Sequence, residues 1–142
     1  MTPAQKELVQ NTWTLVVPIA DTATTMFYDR LFAIDPGSRE LFENTDLAEQ
    51  RLKLLQVLSV AIAGLDDLGR LIPIVEDLGR RHASYGVRDE HYDSVGVALL
   101  WTLQQGLGAA WNAETAAAWT EVYGVLSGVM QRAQREAVAK LS

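Results

Sequence analysis

The chain has 142 residues, 49% of them apolar, and 12 basic against 18 acidic side chains give it a net charge of −6. That length suits one domain over residues 1–142 with a core that needs neither disulfides nor a structural metal. The acidic balance, with no basic run longer than Arg80-Arg81, argues against nucleic acid as the main partner. The absence of cysteine removes disulfides, thiolate metal sites, cysteine nucleophiles and cysteine-linked pigments together.

Met1 to Lys6 lack the basic and apolar pattern of a secretory leader, and no apolar run approaches the roughly eighteen residues that cross a membrane. No membrane span is expected, and the expected location is the cytoplasm. Sustained alternation and hairpin dipeptides are missing, so the chain reads as all-α. Thr2-Pro3-x-Gln5 forms a capping box ahead of Leu8, Val9, Trp13, Val16 and Val17, and Pro18 is expected to end or bend that helix. A second helix is expected over 21–34, with Met26, Phe27, Leu31 and Phe32 apolar, and Asp35-Pro36 then starts a short third one ending at Leu41-Phe42.

From Asp46 to Ala63 the pattern is strongly apolar, with Leu47, Leu54, Leu55, Leu58 and Ile62 near one side, before Gly64 and Gly69 close it. The next helix is expected from Leu71 to Tyr85, with Pro73 in its first turn and Gly86 as a left-handed terminator. A helix over 89–107 carries Tyr92, Val95, Leu99, Leu100 and Leu103 and is expected to break at Gly106 and Gly108. The last begins after Asn112 and reaches towards Lys140, with Trp119, Tyr123, Leu126 and Met130 at spacings of three and four.

Any haem or metal role must choose between two histidines, His82 and His91. Val75 and Leu78 precede His82 by two turns and one turn, giving an apolar face from which one imidazole projects. A neutral imidazole nitrogen there can bind iron while the other ring nitrogen donates to a backbone carbonyl. A solvated or structural histidine near a helix end is the ordinary alternative. His91 reads as a surface or capping residue.

Leu78-Gly79-Arg80-Arg81-His82-x-x-Tyr85-Gly86-Val87 resembles the proximal-histidine segment of neuroglobins and of bacterial single-domain haemoglobins, relatives of the flavohaemoglobin globin domain. Phe27-Tyr28-x-x-Leu31-Phe32, Pro36 with Leu41-Phe42, His91-Tyr92-x-x-Val95-Gly96 and Ala118-Trp119-x-x-Val122-Tyr123-Gly124 join it in the family's order. The resemblance implies a globin fold, helices packed around a pocket for haem b (iron protoporphyrin IX), with a short or absent fourth helix. It implies His82 as the iron ligand, Phe42 packed on the haem face, and Tyr28 with Gln50 on the distal side, where phenol and amide hydrogens can bond dioxygen. Leu54, Leu78, Val87, Tyr92 and Val95 are expected to line the pocket, and Lys53 and Arg81 to pair with the haem propionates. Gln50, Leu54 and Leu58 lie four residues apart, which sets one polar residue above an apolar face.

Two departures from the relatives bear on reactivity. Where the bacterial proteins carry a glutamate that bonds a tyrosine, and through it the proximal histidine, Tyr92 is matched by Gln134. Glu136 sits about 200° around the helix from it and does not substitute. Where neuroglobin has a distal histidine, Gln50 stands. The implied function is reversible binding of dioxygen and other diatomic gases (CO, NO), with nitric oxide dioxygenation if a separate reductase supplies electrons, since no Gly-rich dinucleotide fingerprint is present. Peroxidase or nitrite reductase action on the same iron and a haem-based gas sensor are the alternatives.

Overall fold

The computed structural model describes residues 1–141. Among these the protein is all-α, as expected: α1 (Pro3–Val16), α2 (Ala20–Ile34), α3 (Leu47–Ala63), α4 (Leu68–Ser84), α5 (Asp89–Leu107) and α6 (Ala113–Leu141), with 3-10 turns at Val17–Ile19, Pro36–Phe42, Gly64–Asp66 and Gly108–Ala110. The capping box is formed, the Gln5 amide donating to Thr2 Oγ1 at 3.1 Å and the Thr2 amide to Gln5 Oε1 at 2.9 Å. Pro18 falls within the turn at Val17–Ile19 that separates α1 from α2. No helix lies between Phe42 and Leu47, in line with the expected short or absent fourth helix, and Asp46 caps α3 by accepting from the Ala48 amide at 2.9 Å.

Two boundaries differ from the sequence reading. Helix α4 starts at Leu68 because the Asp67 carbonyl accepts from the amides of Arg70 and Leu71, each at 3.1 Å. Pro73 therefore sits in the second turn, where its missing N–H leaves the Gly69 carbonyl without its helical donor. Helix α5 runs through Gly106 and ends at Gly108, where φ is +52°. Gly86, at φ +78°, terminates α4 as read.

The main packings are α4 on α6, α1 on α6 and α2 on α5. Val9, Trp13, Phe27, Leu31, Leu65, Leu71, Leu103, Trp119 and Val122 belong to one buried cluster. Within it the Trp119 indole is satisfied, Nε1 donating to Thr12 Oγ1 at 2.9 Å. No helix of the described residues is long and apolar enough to cross a membrane.

Candidate functional site

On α4, Leu71, Val75 and Gly79 are buried at intervals of four, and His82 follows half-buried on the same side of the helix. His82 Nδ1 lies 2.5 Å from the Leu78 carbonyl oxygen. A carbonyl only accepts, so Nδ1 carries the hydrogen and donates, which in a neutral ring puts the lone pair on Nε2. Among the described residues nothing hydrogen-bonds Nε2. The His82 ring meets Tyr85 edge-on at 5.9 Å and lies 6.0 Å from the Tyr92 ring at a 32° tilt.

Behind this ring, Tyr92 donates its hydroxyl hydrogen to Gln134 Oε1 at 2.6 Å, and Gln134 Nε2 donates to the Val87 carbonyl. The Val87 amide donates back to the His82 carbonyl at 3.4 Å, so the segment after His82 is tied to both α4 and α6. Tyr123 donates to the Tyr92 carbonyl at 2.5 Å. The Tyr92 hydroxyl does not reach His82: each group has its own partner, and the relay to the imidazole that the family pattern implies is not formed. His91 differs from the surface residue expected. It is buried, and its Nδ1 accepts from the Arg88 amide at 2.8 Å, so the capping part of the reading holds.

Burial pushes the Tyr92 phenol up to about 12, with the Asp89 charge adding to it, and burial raises Tyr123 as well. The unfolded chain releases such protons near the ordinary value of 10.0, before the folded protein does, so this stability is complete below pH 10 and is lost as pH rises towards 12. We expect Tyr92→Phe to flatten the fall in melting temperature between about pH 9 and about pH 11. Equal slopes in the two proteins would mean that the buried Tyr92 phenol is not the source of the pH dependence.

A second group forms where α2, the turn Pro36–Phe42 and α3 meet. The buried Tyr28 ring packs edge-on against Phe27 at 4.9 Å and Phe42 at 5.6 Å, and Phe32 lies 5.7 Å from Phe42. Burial raises the Tyr28 phenol, while a hydrogen bond with the Gln50 side chain and the charge of Arg51 work the other way. Tyr28, Phe42 and Gln50 are thus brought together, and the phenol keeps its proton at neutral pH. The sequence reading missed Arg51, because helical spacing turns adjacent residues about 100° apart and gave no reason to aim it at Tyr28.

Leu54 and Val95 are partly buried at the edge of the core, and Leu54 shares a small apolar cavity of ≈ 20 Å³ with Phe27, Leu58, Leu99 and Leu103. Leu78, His82, Val87 and Tyr92 form the other group. Lys53 is exposed and makes no ion pair among the described residues, whereas Arg81 is bound to Asp77 at 2.9 Å. No group of three or more histidine or carboxylate side chains among the described residues is placed to hold a bare metal ion.

The Globin family model matches residues 25–130. A Flavohemoprotein of Bacillus subtilis (strain 168) is 34% identical over 123 residues, covering 85% of this chain and 31% of that protein. A Neuroglobin of Tetraodon nigroviridis is 31% identical over 140 residues, covering 89% and 88%. The chain spans about a third of the length of the flavohemoproteins it matches. Among solved structures, a hexacoordinated heme protein from an anhydrobiotic tardigrade superposes with a TM-score of 0.84 over 95% of this chain and 96% of the other, at 16% identity, a likeness of fold. With the all-α architecture and these matches together, this chain belongs to the globin family.

Proposed function

We propose that this globin holds haem through His82 and binds dioxygen and other diatomic gases reversibly. The observation that carries this reading is the His82 ring: Nδ1 is committed to the Leu78 carbonyl, and Nε2 is left as the nitrogen that can bind iron, on a half-buried apolar face. These residues fit the group. A chain without cysteine cannot form thioether links to a porphyrin, so the haem would be held without them, and the type we propose is haem b. When bound, the haem supplies the iron at which the gas is held.

The chain's own residues do the rest. The Leu78 carbonyl fixes the tautomer and orientation of His82. Phe42 and Phe32 present apolar surface that excludes water, with Leu54 and Val95 as further lining. The Tyr28 phenol and Gln50 amide offer hydrogens to a ligand that gains negative charge on binding. Lys53 is free to pair with a propionate, whereas Arg81 would have to leave Asp77. Oxidation of nitric oxide to nitrate in the same pocket would consume one electron per turnover, for which we propose a separate reductase.

We expect Tyr28→Phe and Gln50→Leu each to speed dioxygen loss. One hydrogen bond of about 1 to 1.5 kcal/mol corresponds to roughly a five- to tenfold change. Carbon monoxide, less polar when bound, should respond less. Stopped-flow dissociation rates check this, and unchanged dioxygen rates in both variants would remove the pair from the ligand's side. Absorption spectra of the ferric, reduced and carbonyl forms test the haem assignment itself.

A further inference from the structure

We infer that Gly79 is a positioning residue: its bare Cα lets α4 lie against the backbone of α6 and so sets where His82 is presented. The inference rests on the reading of His82 as the iron ligand.

A Cβ built on Gly79 would run into the Met130 carbonyl oxygen and lie 2.8 Å from Met130 Cα and 2.9 Å from its carbonyl carbon. These are backbone atoms inside a helix, which cannot swing aside as a side-chain tip can. The two helices therefore touch main chain to main chain at this point. The other buried residues of α4, Leu71 and Val75, belong to the core cluster and have side chains to place between backbones. An added Cβ at Gly64 or Gly96 would also be crowded, but by the side chains of Leu71 and Tyr123, and Gly124 and Gly128 on α6 have nothing within 4 Å, so approach by another helix's main chain is particular to the Gly79 crossing. Glycine is unfavourable in a helix interior, and at position 79 the approach of Met130 offsets that cost.

The crossing is next to the site's geometry. His82 is three residues on, about 4.5 Å along the axis, and its Nδ1 is fastened to the residue adjoining Gly79. One turn beyond Met130 on α6, Gln134 holds Val87 and Tyr92. A methyl group at 79 pushes apart the surfaces that fix His82 from before and after it, and the imidazole changes its distance or tilt relative to the haem.

The test is Gly79→Ala, with Gly128→Ala as the control in open space. In the ferrous protein we expect Gly79→Ala to shift the iron–imidazole stretching band seen by resonance Raman and to speed haem loss roughly tenfold, the lower end of the effects of outer-shell changes. The control should do neither. In a His82→Gly background with free imidazole supplied, the ligand is no longer tethered to α4, and adding Gly79→Ala should leave the band unmoved.

An unchanged band in Gly79→Ala overturns the inference, as does an equal shift in the untethered background. If Gly79→Ala alone yields no holoprotein, recovery of a haem spectrum by the double variant with imidazole supports the inference. Failure of that rescue overturns it, leaving Gly79 a role in folding only. A band that persists in His82→Gly without imidazole sinks the reading of His82 itself, which separates the two failures.

Discussion

Replacing His82 by alanine should abolish most haem retention, whereas replacing His91 should leave it nearly intact. The difference follows from what the second ring nitrogen of each imidazole can do. His82 sits on a half-buried face with Nδ1 held by its own helix and Nε2 without a partner among the described residues. His91 is buried at the start of α5, and its Nδ1 accepts from the Arg88 amide. Losing that cap should cost about 1 kcal/mol of stability, an effect on the melting temperature and not on the haem. The ratio of haem to protein absorbance after gel filtration, with the ferric and ferrous spectra, measures the first effect. A normal spectrum in His82→Ala would overturn the assignment, and parallel haem loss in both variants would mean that the fold, not a bond to iron, had been damaged.

What could be read from the sequence is mostly local. The Thr2/Gln5 capping box, the left-handed Gly86 and the run of helices depend on residues within a turn or two of one another, and all are present in the structure. Pro73 suggests a start near Leu71, yet α4 begins at Leu68, because one lost hydrogen bond in the second turn is tolerable when Leu71 and Val75 are buried. Gly106 failed as a breaker because helical backbone is open to glycine, and Gly108 supplies the positive φ that actually ends α5.

The site divides in the same way. His82 could be singled out from its flanking face, and its bond to the Leu78 carbonyl is a contact across one turn. The Tyr92–Gln134 bond spans 42 residues of sequence, and the Gly79–Met130 approach spans 51 (130 minus 79). Nothing in local periodicity reports such crossings. The resemblance named Gln134 as a departure, but only the packed structure shows that its amide has two separate duties.

Those duties change what Gln134→Glu is expected to do. Read from the sequence, a carboxylate at this position makes the imidazole more electron-donating and raises peroxide reactivity, through Tyr92. In the structure Tyr92 donates to Gln134 and not to His82, so the effect on iron potential and peroxide rate should be small. The larger effect is on stability. Gln134 Oε1 accepts from Tyr92, and Nε2 donates to the Val87 carbonyl. A carboxylate keeps the first bond but places a negative oxygen against the carbonyl, in a buried position. Losing that donor should cost about 1 to 3 kcal/mol at neutral pH. Protonation restores a donor, so the new acid should titrate above its unfolded value, with its stability complete below that value and lost as pH rises through the folded one. The melting temperature of Gln134→Glu should therefore approach that of the unsubstituted protein at about pH 5 and fall away from it by about pH 8. A variant that is as stable as the original at both values, with a lowered iron potential and faster peroxide turnover, would show that the carboxylate reaches His82 after all and would restore the peroxidase reading.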